Sequence, residues 1–249
     1  MDLFKTVFNR ASIYNMLFVS IDSVLEYPTL DALEKGNKGL YDQWMEIRTN
    51  YRDDYNLPYE RAAVRCPELC KIVSISYGTM TMVNGEVKRN FKKVASPNED
   101  IVIEAFFDYL NSCGEAGTKF PAICGFNLSK MRIPFLIKRY MVNRSKFSKP
   151  VELPAILKES LSSKPWEGDN IVDVEEVWKF GGAVSANLMI ISEFLGLKKT
   201  VEIFNEVDAS MFYWANIEAD NDKVISWASM QSMTKVNLAM QLMNDLRMI

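Results

Sequence analysis

Two residues, Asn84 and Gly85, restrict what this chain can fold into more than any others. They join two strand-like runs, Lys71–Met80 (KIVSISYGTM) and Val87–Val94. An Asn-Gly pair in that setting is the strongest short-range hairpin signal, because both residues tolerate the positive φ angles of a two-residue turn. An antiparallel pair is therefore expected here. Ahead of it, Met16–Val24 (MLFVSIDSV) places Leu17, Phe18, Val19 and Ile21 in a near-continuous apolar run, the pattern of a strand buried on both faces. The stretch between, Tyr27–Pro67, is polar and aromatic, with a helix expected over Leu40–Tyr51 and a loop over Asn50–Pro58.

After the hairpin, Ser96-Pro97-Asn98-Glu99-Asp100 reads as a helix start running to about Cys113, with Ser96 as cap, Pro97 in the first turn and acids facing the helix dipole. A short strand follows at Ala122–Gly125, then a helix over Leu128–Val142, in which Pro134 marks either a kink or a helix start. Beyond a loop at Arg144–Pro154, a strand is expected at Asn170–Val174 and an amphipathic helix at Val184–Leu195 capped by Gly196. Helices at Asn205–Ala215 and Asp222–Leu246 complete the order, and the methionines of the last (Met230, Met233, Met240, Met243, Met248) read as core filling. Strands mixed with helices predict an α/β domain of three layers, a mixed sheet flanked by helices. With no repeat or long linker, residues 1–249 are expected to form one domain.

Charge narrows the function. The 29 basic and 32 acidic residues are dispersed and sum to −3, so contact with nucleic acid needs a local patch. One such patch is suggested by Lys130, Lys138, Arg139, Arg144, Lys146 and Lys149 with Tyr140 and Phe147 among them, a mixture that suits a nucleic-acid groove or a solvated helix face. The four cysteines, in a chain without histidine, read as free thiols and not as a zinc site. Neither a signal peptide nor a membrane-spanning run is expected, which points to a cytoplasmic protein with no membrane partner.

Five stretches in this order carry a resemblance: FVSIDSVLEYP (Phe18–Pro28), CKIVSISYG (Cys70–Gly78), CGFNLSKMRIPFLIKR (Cys124–Arg139), KPWEGDNIVDVEEVWKFGG (Lys164–Gly182) and ISWASMQSMTKVNLAM (Ile225–Met240). Together they resemble the DEDD-type 3'-to-5' exonucleases, related to the proofreading domain of family B DNA polymerases. The resemblance implies an RNase-H-like (ribonuclease H/exonuclease) fold over most of the chain. Such enzymes hold two divalent ions about 4 Å apart with four carboxylates, because hard ions driving an in-line phosphoryl displacement need oxygen ligands.

This chain departs from the family at three of the four positions. Aligned on Glu26-Tyr27-Pro28, Ser20 takes the place of the first acid and Asp22 the second. In the next motif Asn127 is kept, Phe126 replaces a histidine, and Arg132 stands at the acid position before Ile133-Pro134-Phe135-Leu136. In the last, Trp227 replaces the tyrosine and Gln231 the aspartate, with Val236-Asn237-Leu238 keeping the frame. These changes move the formal charge of such a site by four positive units. No catalytic residue and no bound metal are expected; two Mg or Mn ions would enter only with a rewired site, for which Asp173 and Glu26 are the nearest spare acids.

The resemblance thus implies a pseudonuclease retained for binding, either of single-stranded DNA or primer-template ends or of protein partners. A structural or assembly component, in a bacteriophage particle for instance, and an active exonuclease are the alternatives. Asn127, Lys130, Arg132, Lys138 and Arg139 are the candidate nucleic-acid contacts. For Arg132 two roles stand side by side, a guanidinium fork for phosphate and, preferred, a salt bridge to Asp22.

Overall fold

The structure, a computed structural model, describes residues 12–50, 57–115, 120, 122–162, 170–180, 182 and 186–247. Five strands make one mixed open sheet in the order β3-β2-β1-β4-β5. β1 (Leu17–Leu25) is antiparallel to β2 (Cys70–Val83), which is antiparallel to β3 (Glu86–Ala95). β4 (Ile123–Gly125) and β5 (Ile171–Asp173) continue from β1 in parallel.

The hairpin turns at the expected pair, with Asn84 at φ 53° and Gly85 at φ 82°, the double positive φ of a type I′ turn. Its arms are longer than the sequence runs suggest. Thr79–Val83 pairs with Glu86–Asn90 although β1 pairs with β2 no further than Phe18↔Gly78.

Helices cover both faces. The excursion after β1 holds α1 (Leu30–Gly36), α2 (Lys38–Asn50) and α3 (Tyr59–Ala63); residues 51–56 of the expected loop lie outside the described residues. α4 (Glu99–Glu115) follows the hairpin, and α5 (Ile133–Asn143) follows β4. Then come α6 (Ala155–Ser162), a helix without an expected counterpart, α7 (Val174–Trp178), α8 (Leu188–Phe194), α9 (Glu206–Asn216) and the long α10 (Asn221–Leu246). The first residues of the expected Val184 helix, and Met248, lie outside the described residues. Gly196, at φ 63°, ends α8 as expected, with the Leu197 N–H returning to the Ser192 carbonyl at 2.8 Å.

Strand alternation assigns the core. Leu17, Val19, Ile21, Ile75 and Tyr77 pack with Val102, Phe106 and Phe107 of α4 and Leu136 of α5. Phe18 and Met80 face Met240 and Met243 of α10 on the other side. Where β1 meets β2, the register slips between Asp22 and Ser23, so Val73 is an extra residue and the bulge bends the strand beside Asp22.

α10 lies close on the sheet because its contact residues are small and polar. Ser232 Oγ is 2.7 Å from Ser74 Oγ and 2.6 Å from Ser76 Oγ, a buried hydroxyl seam whose members satisfy one another. At Gly78 a Cβ would meet the Asn90 carbonyl at 2.3 Å and the Met240 methyl at 3.1 Å, so a larger residue would push hairpin and helix apart.

Pro134 marks a helix start. A π-helical turn, Leu128–Arg132, precedes it, with the Arg132 N–H bonded to the Asn127 carbonyl at 3.1 Å, and Pro134 enters α5 in its first turn, where its missing N–H costs nothing. Ser96 accepts from the Asn98 N–H at 3.1 Å. Glu99, in the first turn of α4, is buried. Among the described residues, no helix is long and apolar enough to cross a membrane.

Candidate functional site

A cleft of about 180 Å³ opens between the middle of β1, the π-helical turn and the segment before α9. Ser20, Asp22, Asn127 and Arg132 all line it. Its shape follows from local backbone. Gly125 ends β4 against β1, where a Cβ would meet the Val19 carbonyl at 2.2 Å. Asn127 then takes a left-handed conformation, φ 54°, which redirects the chain into the π turn.

Asp173, at the end of β5, holds that corner. Its carboxylate accepts from the N–H groups of Asn127 (2.9 Å), Ser129 (2.9 Å) and Glu175 (3.1 Å) and from Ser129 Oγ (3.0 Å). Burial pushes its carboxyl above the usual range although these donors pull it down. Both carboxylate oxygens are engaged by three backbone N–H groups and one hydroxyl, so it is no spare ligand for the cleft. Glu26, the other spare acid of the sequence, pairs with Arg139 at 3.1 Å.

The charged groups of the cleft form two ion pairs. Lys235 Nζ lies 2.9 Å from Asp22 Oδ1, to which Ser20 Oγ also donates at 3.3 Å. Arg132 reaches Glu206 Oε1 at 2.8 Å and donates to Ser23 Oγ at 3.4 Å. The expected Arg132–Asp22 bridge is thus replaced by two crossed partners. Neither new partner stands at an acid position of the resemblance: Lys235 lies within its last stretch, one turn beyond Gln231 on α10, and Glu206, outside all five stretches, opens α9. Burial acts to raise the Glu206 carboxyl, but Arg132 and Lys235 together hold it below the ordinary carboxylate range. Two carboxylates face two cations, so the cleft is formally neutral and lacks the positive excess inferred from the substitutions alone.

Gln231 and Trp227 stand at a small recess adjoining the cleft and turn to other tasks. Gln231 accepts from the Phe204 N–H at 2.9 Å and donates to the Glu202 carbonyl at 2.6 Å, clamping the segment that carries Glu206. Trp227 packs on Phe204 and Phe212, with ring centroids 5.4 and 4.5 Å away.

The remaining candidate contacts diverge. Lys130 pairs with Glu176 at 2.7 Å and Lys138 with Glu68 at 2.5 Å, both at the surface. Arg139, expected as a nucleic-acid contact, is instead buried: it grips Glu99 through Nε at 2.8 Å and Nη2 at 2.6 Å and has no fork to offer a phosphate. Glu99 also accepts from Asn143 Nδ2 and the Ile72 N–H, each at 2.6 Å. Tyr140 and Phe147 stack on each other at 5.6 Å.

Among the described residues no three Asp, Glu, Cys or His side chains group as metal ligands would. In the cleft the available carboxylates are Asp22 and Glu206, each already neutralised by a cation, a donor set that does not fit a two-metal centre. Cys66 and Cys70 are free, their thiols pushed up by burial to about 11 and about 12. The chain matches no family model and no curated protein.

Proposed function

We propose that this chain is an RNase-H-like exonuclease homologue that works by binding and not by cutting. The observation that carries the reading is the crossed pairing Lys235–Asp22 and Arg132–Glu206, which puts two cations in the cleft where the resemblance would require metal ions. The fold supports it in order: strand, excursion, hairpin, helix, then two parallel strands with helices on both faces.

Residues Ser20, Asp22, Arg132 and Gln231, brought from three distant segments to the cleft and its adjoining recess, are the degenerate positions of the resemblance. A lost acid leaves a role to be refilled. Arg132 and Lys235 supply charge that stabilises the corner without metal, and Gln231 anchors the loop that delivers Glu206. With Arg132 already engaged, the cleft has no unpaired guanidinium for a nucleic-acid end.

Incubating micromolar protein with end-labelled single-stranded DNA and Mg²⁺ or Mn²⁺ tests the proposal. The labelled strand is expected to keep its length. Shortening that stops on addition of chelator and in Asp22→Asn would overturn it.

A further inference from the structure

Positive charge without partners lies elsewhere, on the outer strand of the sheet. β3 (EVKRNFKKVA) carries Lys88, Arg89, Lys92 and Lys93 against a single acid, Glu86, in a chain whose total charge is −3. All four bases are exposed. Their cross-strand neighbours on β2 are Thr81, Met80, Tyr77 and Ser76, none of them acidic, and β3 has no strand on its other side. Among the described residues Lys88, Arg89 and Lys93 form no ion pair, while Lys92 sits 4.7 Å over the ring of Tyr109. The contrast with Lys130, Arg132, Lys138 and Lys235, each held by a carboxylate, is sharp.

The shape of this region is as specific as its charge. Beyond Gly78 the hairpin is a two-stranded ribbon with no third strand beside it, ending in the exposed tip Met82–Gly85. Strand alternation puts Lys88 and Lys92 on the α4 face and Arg89 and Lys93 on the α10 face, the two members of each row about 13 Å apart. Lys88 and Arg89 stand on the two-stranded part, and Lys92 and Lys93 continue the two rows along the open edge of β3 where β1 backs β2, so the cations line both sides of an exposed edge that can run beside phosphates. The major groove of B-form DNA, about 12 Å wide, admits a two-stranded ribbon of this kind. Single strands are captured on exposed aromatic platforms, whereas the one aromatic of β3, Phe91, is half-buried against the α10 side of the core.

We infer that the β2–β3 ribbon is a binding surface for double-stranded DNA, held through its phosphates by Lys88, Arg89, Lys92 and Lys93. The inference is independent of the cleft and stands whether or not the cleft can cut. A competing role for these charges is protection of an open sheet edge against self-association.

Fluorescence anisotropy with a labelled duplex, and with one of its strands alone, separates the two roles. For the native chain, duplex affinity should exceed single-strand affinity and fall with salt at a log–log slope of about −3 to −4, as four phosphate contacts require. Replacing all four bases by Gln should weaken duplex binding by at least about tenfold and flatten the slope. Replacing Lys35, Lys38, Lys158 and Lys223 by Gln makes the same change in net charge and should leave most of the binding. Lys88→Arg, Lys92→Arg and Lys93→Arg combined should bind as the native chain does, which guards against a misfolded Gln variant. No duplex binding by the native chain, equal loss in both Gln variants, or preference for the single strand overturns the inference. Self-association of the ribbon variant without any native duplex binding does so in favour of edge protection.

Discussion

Arg132 and Arg139 lie two helical turns apart, yet one borders an open cleft and the other is sealed behind the sheet. Arg139 and Glu99 are 6% and 5% exposed, and their pair is completed by Asn143, the Ile72 N–H and, from the rim, the partly exposed Glu26, so both buried charges are hydrogen-bonded. At the cleft the Arg132–Glu206 pair is lopsided, 11% and 46% exposed, with water reaching the carboxylate. Position relative to the sheet makes the difference: α5 turns Arg139 toward α4, while the π turn leaves Arg132 at the mouth. The same residue type is therefore part of the buried scaffold in one place and part of a cleft lining in the other.

The contrast can be broken most forcefully at Glu99. Glu99→Ala strands a buried guanidinium and the Ile72 N–H together, and the expected loss of unfolding free energy in urea is about 3–5 kcal/mol. A loss comparable to that of a surface pair would mean the site is wetter than the geometry indicates. Glu206→Gln, at the exposed pair, is expected to cost about 1 kcal/mol or less.

Acidity sharpens the same comparison. Glu206 is more acidic in the folded chain than unfolded, so its contribution is complete above the unfolded carboxylate value and disappears as pH falls through the folded one. Urea midpoints taken from neutrality downward should show native and Glu206→Gln chains converging below roughly pH 4.5. A gap that widens toward acid would give the pairing the wrong sign.

Much of this arrangement was legible in the chain. The hairpin was, because Asn84 and Gly85 accept φ angles few residues accept, and β1 was, because its apolar run suits only a strand covered on both sides. The spacing of Gly125, Asn127 and Arg132 placed a corner that the structure brings beside Ser20 and Asp22. The ion-pair partners were not legible. Lys235 meets Asp22 across 213 residues and Glu206 meets Arg132 across 74, and charge carries no local signature of its distant partner. Lys235 had one usable signal, its place a single turn from Gln231 on a helix already assigned to the cleft. The burial of Arg139 was hidden similarly, since an arginine among Lys138, Arg144 and Lys146 looks solvated until Glu99 is folded against it.

The central claim is that the cleft is neutralised from within and has no place for a pair of metal ions. Calorimetric titration of the whole chain with Mn²⁺ at neutral pH tests it most directly. The expected result is no saturable binding at millimolar Mn²⁺, in the native chain and in Asp22→Asn alike. Saturable binding of two ions by the native chain, abolished by Asp22→Asn, would contradict it.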